Sequence, residues 1–256
     1  MTEVTGPLAA PALPLPARRG APWLGVATAV ALLGAGWLAL VVAPPDVVQG
    51  DAQRLMYVHV PAAWLAYLAF AVTAIASLLY LVPRTRSSTW DLLAGASAEV
   101  GVLFTALTLV LGSLWGRPIW GTWWEWDARL TTTAVLFFLY LGYLALRRMD
   151  GPGDRHATRN AIAALIAFVD VPIVHFSVTW WETLHQDATV FNPQLDVEIT
   201  GTMAWTLVAS VLAFTLLYGY LVTRRFDLAE LEEGLEEREL RQAIAERVAQ
   251  DDAVPV

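Results

Sequence analysis

Six stretches of this chain are apolar for about the length needed to cross a bilayer. They lie at about 21–42, 60–82, 92–114, 130–146, 161–181 and 201–222. A helix rising ~1.5 Å per residue crosses the ~30 Å hydrocarbon layer in about 20 residues. The expected fold is therefore all-α, a polytopic membrane bundle of six transmembrane helices. The fourth stretch is the shortest and must borrow a turn from its flanks. Composition agrees: 57% of residues are hydrophobic and 16% charged, against about 25% charged in an ordinary soluble domain. The first stretch follows Arg18 and Arg19 and is too long for the apolar region of a cleaved signal, so it reads as a retained helix.

Arginine placement sets the expected orientation. With the N-terminus inside, the inner flanks carry Arg18, Arg19, Arg84, Arg86, Arg147, Arg148, Arg155, Arg159, Arg224 and Arg225. The outer loops carry only Arg54, Arg117 and Arg129. Both termini are thus expected in the cytoplasm. The chain divides into an N-terminal tail (1–20), a membrane domain (21–223) with an outer loop at 115–129, and an acidic tail (224–256). That tail holds ten acidic residues and five arginines and reads as a solvated helix from 227 to about 249. The chain has no cysteine, which excludes disulfides, thiolate metal sites and thiol redox chemistry. It has no phosphate-binding G-x-x-x-x-G-K-[ST] loop and no basic nucleic-acid stripe. Glu99 and Asp170 fall inside apolar stretches, where ionisable groups are costly, so pairing with an arginine or hydroxyl of a neighbouring helix or subunit is expected.

Two constellations carry chemistry. Trp115, Trp120, Trp123, Trp124 and Trp126 place five of the twelve tryptophans within thirteen residues. Interfacial anchoring explains one or two tryptophans at each helix end, as at Trp180, Trp181 and Trp205, but not five in one connection. If the chain is helical beyond Pro118, Trp120, Trp123, Trp124 and Asp127 share a face and form a platform for a flat apolar ligand: a porphyrin, quinone or sterol. The second constellation is histidine, of which there are four. His156 lies in an inner loop and reads as solvated. His59 sits at the mouth of the second span, where Pro61 is suited to starting a helix. His185 follows the fifth span. Both share the outer face with the tryptophans, and neutral imidazole is a good axial ligand for haem iron. His175, inside the fifth span, reads either as a pocket residue or as a buried hydrogen-bonding one.

Three segments resemble the haem exporter protein C family of cytochrome c maturation. They are Gln53 to Ala63 with Met56-Tyr57-Val58-His59-Val60-Pro61, Trp115 to Thr131 with the tryptophans and Asp127, and Val174 to Gln186 with His175 and His185. The likeness runs from about 21 to 223. It implies non-covalent, transient binding of haem b (iron protoporphyrin IX) at the outer face of the bacterial inner membrane. It also implies delivery to a periplasmic haem chaperone, protein E, beside two ATP-binding-cassette proteins, A and B, and a small protein D. The implied axial ligands are His59 and His185; the implied haem-binding set is Trp115, Trp120, Trp123, Trp124, Trp126 and Asp127. Arg54 and Arg129, inside the matching segments, are candidates for the anionic propionates. The likeness implies a delivery subunit, not an enzyme, with any ATP hydrolysis left to partners. The acidic tail is not a feature of the likeness. The rival readings are a transporter of haem across the bilayer and a quinone-linked haem oxidoreductase. His175 as the one remaining intramembrane histidine argues against the second, and the shortage of polar groups in the spans against the first.

Overall fold

A computed structural model describes residues 22–149, 153–185, 199 and 201–252. Its elements are α1 (Pro22–Trp37), a π-helical turn (Leu38–Val42), a 3-10 turn (Asp51–Leu55), α2 (Met56–Leu81), α3 (Ser88–Trp120), α4 (Ala128–Arg147), α5 (Gly153–Phe168), α6 (Asp170–Trp180) and α7 (Gly201–Asp252). No strand occurs among the described residues, only an isolated bridge between Asp46 and Gly50. Six helical spans are long and apolar enough to cross a membrane. The protein is a multi-pass membrane protein with an all-helical fold.

The bundle, Ala21–Val222, is one compact unit. Its central pair is α2 and α3, which meet through small residues: Ala62, Ala66 and Ala69 face a seam with Ala94, Ala98 and Gly101, and these alanines are essentially fully buried. A Cβ built on Gly101 would come within 2.5 Å of the Phe70 ring, so glycine there permits the approach. The Ser97 hydroxyl donates to the Ala69 carbonyl at 2.7 Å and the Thr73 hydroxyl to the Ala94 carbonyl at 3.2 Å. Such interhelical bonds average only about 0.6 kcal/mol in a membrane, so the close packing of small residues contributes more. The other helices join through aromatic contacts. Tyr140 of α4 stacks on Phe70 at 3.6 Å, Tyr218 of α7 reaches Ser97 at 2.8 Å, and Trp64 donates to Thr215 at 3.1 Å. At one end of the bundle, Arg147 of α4 forms a two-point ion pair with Asp91 of α3, at 2.7 and 2.9 Å.

Several elements depart from the sequence reading for local reasons. Pro61 does not open α2; it sits in the second turn and removes the donor that the Tyr57 carbonyl would use. The fifth span is two helices, broken at Val169, because Pro172 clashes with the Phe168 carbonyl four residues earlier. The sixth span and the tail share one helix, α7. The residues from Thr223 onward belong to a second unit, where Arg225 pairs with Glu232 at 3.2 Å and Gln242 with Glu246 at 2.9 Å along an exposed helix. His156 is not a free loop residue: its Nε2 lies 3.0 Å from the Arg147 carbonyl and 3.3 Å from Asn160. Asp170 is buried, and its Oδ2 has no hydrogen-bond partner among the described residues. The tail at 1–20 and most of the connection at 182–200 lie outside the described residues.

Candidate functional site: two histidines in an aromatic cluster

The site lies at the end of the bundle where α2 starts and α3 ends. An Asx turn prepares it. Asp46 Oδ1 accepts from the backbone N–H groups of Val48 and Gln49 at 2.8 and 2.7 Å. The N–H groups of Gln49 and Val48 hold this carboxyl below its usual range. Gly50, with φ 58°, closes the turn in the left-handed region. The turn sets Gln49, whose Oε1 accepts from the Trp115 indole at 3.0 Å.

His59 stands on the first turn of α2 and faces α3. Its ring meets Trp115 edge-on, with centroids 5.7 Å apart. One turn earlier on α3, Gly112 leaves space for the imidazole: a Cβ there would lie 3.1 Å from His59 Cε1. His59 Nδ1 is buried without a hydrogen-bond partner.

α3 continues through Pro118 and stops at Trp120, where Gly121, at φ 80°, caps it in the left-handed conformation. The Arg117 guanidinium donates to the Gly121 carbonyl and lies over the Trp123 ring. The connection from Gly121 to Asp127 is not helical, so the expected single helical face of Trp120, Trp123, Trp124 and Asp127 does not form. The tryptophans split instead. Trp120 meets the His185 ring with centroids 4.9 Å apart. Trp124 packs edge-on with Trp126 at 5.4 Å, its indole nitrogen buried and unpartnered. Trp123 and Trp126 are exposed, at 57% and 79%.

Asp127 joins the two halves. As N-cap of α4 its Oδ1 accepts from the Leu130 N–H at 2.7 Å. Its Oδ2 accepts from the Thr183 hydroxyl at 2.6 Å and lies 3.4 Å from His185 Nδ1. Thr183 Oγ1 in turn accepts from the His185 N–H at 3.1 Å, closing a turn that aims the imidazole. Burial works against charge on Asp127, but the hydrogen bonds from His185, Thr183 and Leu130 outweigh it and hold the carboxyl well below the usual carboxylate range. An ionised carboxylate only accepts, so in this contact His185 Nδ1 is the donor.

Arg129, on the first turn of α4, donates to the His175 carbonyl at 3.0 Å, while its Nε is buried and unpartnered. Tyr67 of α2 meets the His175 ring edge-on at 6.4 Å. Arg54 pairs with Asp51 at 2.8 Å and donates to the Ala39 carbonyl, and Ala39 belongs to the apolar cluster against which Trp115 packs. His59 with Trp115, and His185 with Trp120 and Asp127, thus lie about the end of α3 and the start of α4, where Arg129 also stands. Gln49, Tyr67, Gly112 and Thr183 were not singled out in the sequence. Thr183 had a readable signal, a threonine two residues before a histidine; the other three are set by packing.

The residues suit a flat metal-bearing macrocycle. Two imidazoles can donate lone pairs, aromatic edges flank both, and a part-buried guanidinium lies between the helices. Several buried polar atoms at this end have no partner among the described residues; three of them, His59 Nδ1, Trp124 Nε1 and Arg129 Nε, are groups of the kind that a ligand would satisfy, since a buried polar atom left alone costs about 1–3 kcal/mol.

Comparison with known proteins gives one consistent answer. The family described as heme exporter protein C matches residues 7–241, further into the acidic tail than the motif segments reach. The heme exporter protein C of Bradyrhizobium diazoefficiens is 44% identical over 197 residues, 77% of this chain and 73% of that protein. The protein of the same description from Escherichia coli K12 is 41% identical over 207 residues, 80% of this chain and 81% of its own. That of Haemophilus influenzae is 41% identical over 204 residues, 79% and 81% of the two chains.

Proposed function

This chain belongs to the heme exporter protein C family, and from that premise we propose that it holds haem at the outer face of the bacterial inner membrane and hands it to a periplasmic haem chaperone in cytochrome c maturation. The observation that supports the reading is that His59, on the first turn of α2, and His185, after α6, each meet the edge of a tryptophan near the end of α3, Trp115 and Trp120 respectively. The arginine bias favours the periplasmic side for that cluster. The partners are those implied by the family: ATP-binding-cassette proteins A and B, the small protein D, and the chaperone E.

Haem b, the cargo, supplies an iron with two axial positions and two anionic propionates. The chain's own residues do the rest. His59, resting on Gly112 and Trp115, and His185, oriented by Asp127, are the axial donors. A metal-bound histidine whose second nitrogen donates to a carboxylate is a stronger and better-oriented ligand, so Asp127 and Thr183 act as positioning residues for His185. Trp115, Trp120 and Trp124 wall the site. Arg129 is available to an anionic propionate. Trp123 and Trp126, exposed at the rim, are free to meet the chaperone. Arg54, which bonds Asp51 and the Ala39 carbonyl of the π-helical turn, is a second candidate for a propionate. Binding is non-covalent, and release requires only that the imidazoles let go, so the chain acts as a delivery subunit and not as a catalyst.

Visible absorption of the purified protein tests this. The wild type should show a six-coordinate low-spin haem spectrum, and His59→Ala and His185→Ala should each lose the six-coordinate form. A wild type that takes up no haem on reconstitution, or variants with unaltered spectra, would remove the basis of the reading.

A further inference from the structure

At the opposite end of α2, away from His59 and His185, a cavity of about 520 Å³ opens between the α2–α3 connection and the start of α5. Arg86, Arg155, Thr158, Arg159 and Ile162 line it. None of these three arginines is paired with a carboxylate among the described residues. Arg86 spends its Nε on the Tyr80 carbonyl at 3.3 Å, which leaves its terminal amino groups. Arg159 donates through Nη2 to the Leu146 and Met149 carbonyls at 3.0 and 3.2 Å, and its Nε is buried and unpartnered. Asp150 and Asp154 occur in the neighbouring sequence, but Arg84, Arg86, Arg148, Arg155 and Arg159 outnumber them.

We infer that this cavity binds the phosphodiester headgroup of an anionic phospholipid. Three cationic side chains and a hydroxyl converge on one opening, which gives the charge and the donors that a phosphate needs. The remaining wall argues for a lipid over free phosphate. Ile162 lines the cavity, and Ile166 and Val169 continue from it at helical spacing, exposed at 48%, 66% and 61%. They form an apolar track leading from the headgroup position into the bilayer, where an acyl chain can lie. Basic pockets between helices on the cytoplasmic side of a membrane are suited to such headgroups. Arginines that only set topology need no cavity and no apolar track.

The test is native mass spectrometry of the full chain in neutral detergent with equal amounts of phosphatidylglycerol and phosphatidylcholine. Phosphatidylglycerol should be retained in preference. Arg86 and Arg155 are exposed, so the Arg86→Gln/Arg155→Gln variant keeps the Arg159 bonds and the fold, and a wild-type haem spectrum checks this. Its retention of phosphatidylglycerol should fall by roughly 30-fold, at the usual contribution of each basic residue to anionic lipid attraction. Soluble glycerol phosphate should not displace the lipid. Equal retention of both lipids, or unchanged retention by the variant, would overturn the assignment. Displacement by glycerol phosphate as readily as by the lipid would mean a free-phosphate site instead. A photo-crosslinker at position 155 that captures a protein and no lipid in the native membrane would also overturn it.

Discussion

The Asp127 carboxylate caps helix α4 with one oxygen and, with the other, lies 3.4 Å from His185 Nδ1. One side chain therefore fixes a helix start and the orientation of a candidate iron ligand. Its burial is tolerable because each oxygen has a donor: Leu130 N–H on one, the Thr183 hydroxyl and His185 on the other.

That link separates two variants. Asp127→Asn keeps a good N-cap but removes the charge from the His185 bond. Haem affinity should fall about 10–100-fold, the usual cost of losing the outer partner of a metal-bound histidine, with helix content unchanged. Thr183→Val should weaken binding less, since it leaves the carboxylate in place. Haem titration followed by absorbance measures both, and an Asp127→Asn protein that binds as tightly as wild type would contradict the positioning role.

The same carboxyl predicts a pH dependence of stability. Its folded pKa lies below the unfolded value of 3.8. A depressed acid stabilises the fold fully above its unfolded pKa, and that contribution is lost as pH falls toward the folded value. The difference in thermal stability between wild type and Asp127→Ala in neutral detergent should be constant from about pH 8 to about pH 5 and shrink below about pH 4. A difference that disappears between pH 8 and pH 6 would show that another group sets it.

Gly112 leaves the room that His59 occupies. In Gly112→Ala the new Cβ would sit 3.1 Å from His59 Cε1, so the ring must shift by a few tenths of an ångström. Coordination is sensitive to such shifts, and the six-coordinate haem fraction should drop while the protein stays folded. His59→Gly with added imidazole should recover part of the low-spin spectrum. A Gly112→Ala spectrum identical to wild type would show that His59 is not confined by α3.

Asp91 and Arg147 form a pair at the far end, each with 17% of its side chain exposed. Removing one partner of a buried pair leaves an uncompensated charge and costs about 3–5 kcal/mol. Asp91→Ala should therefore lower resistance to denaturing detergent markedly, while the haem spectrum of the surviving folded protein stays as in wild type. A loss under about 1 kcal/mol would place the pair in the exposed class.

Much of this was legible in the chain because lipid imposes simple demands. Six apolar runs of bilayer length became six helical spans. Arginine asymmetry, the tryptophan segment and the segments around His59 and His185 marked one end of the bundle as the candidate site. Legibility failed first at helix ends and breaks, which local backbone geometry decides. The end of α3 was hidden because its helix runs through Pro118 and stops only where Gly121 adopts a left-handed conformation. The break before α6 follows from Pro172 acting on a carbonyl four residues back, which hydropathy does not register.

By itself, then, the sequence determined the span number, the residue types able to hold a metal-bearing macrocycle, and the likeness that points to haem. Tertiary structure alone decided which of those residues meet. It set His59 against Gly112 and Trp115, tied His185 to Asp127 through Thr183, turned Arg54 toward Asp51 and left Trp123 and Trp126 at the rim. The physical reason is range. Hydrophobic length and charge bias act along the chain and are additive, whereas an imidazole's orientation depends on hydrogen bonds and ring contacts a few ångströms long, made between segments as far apart as residues 59 and 112 or 127 and 185.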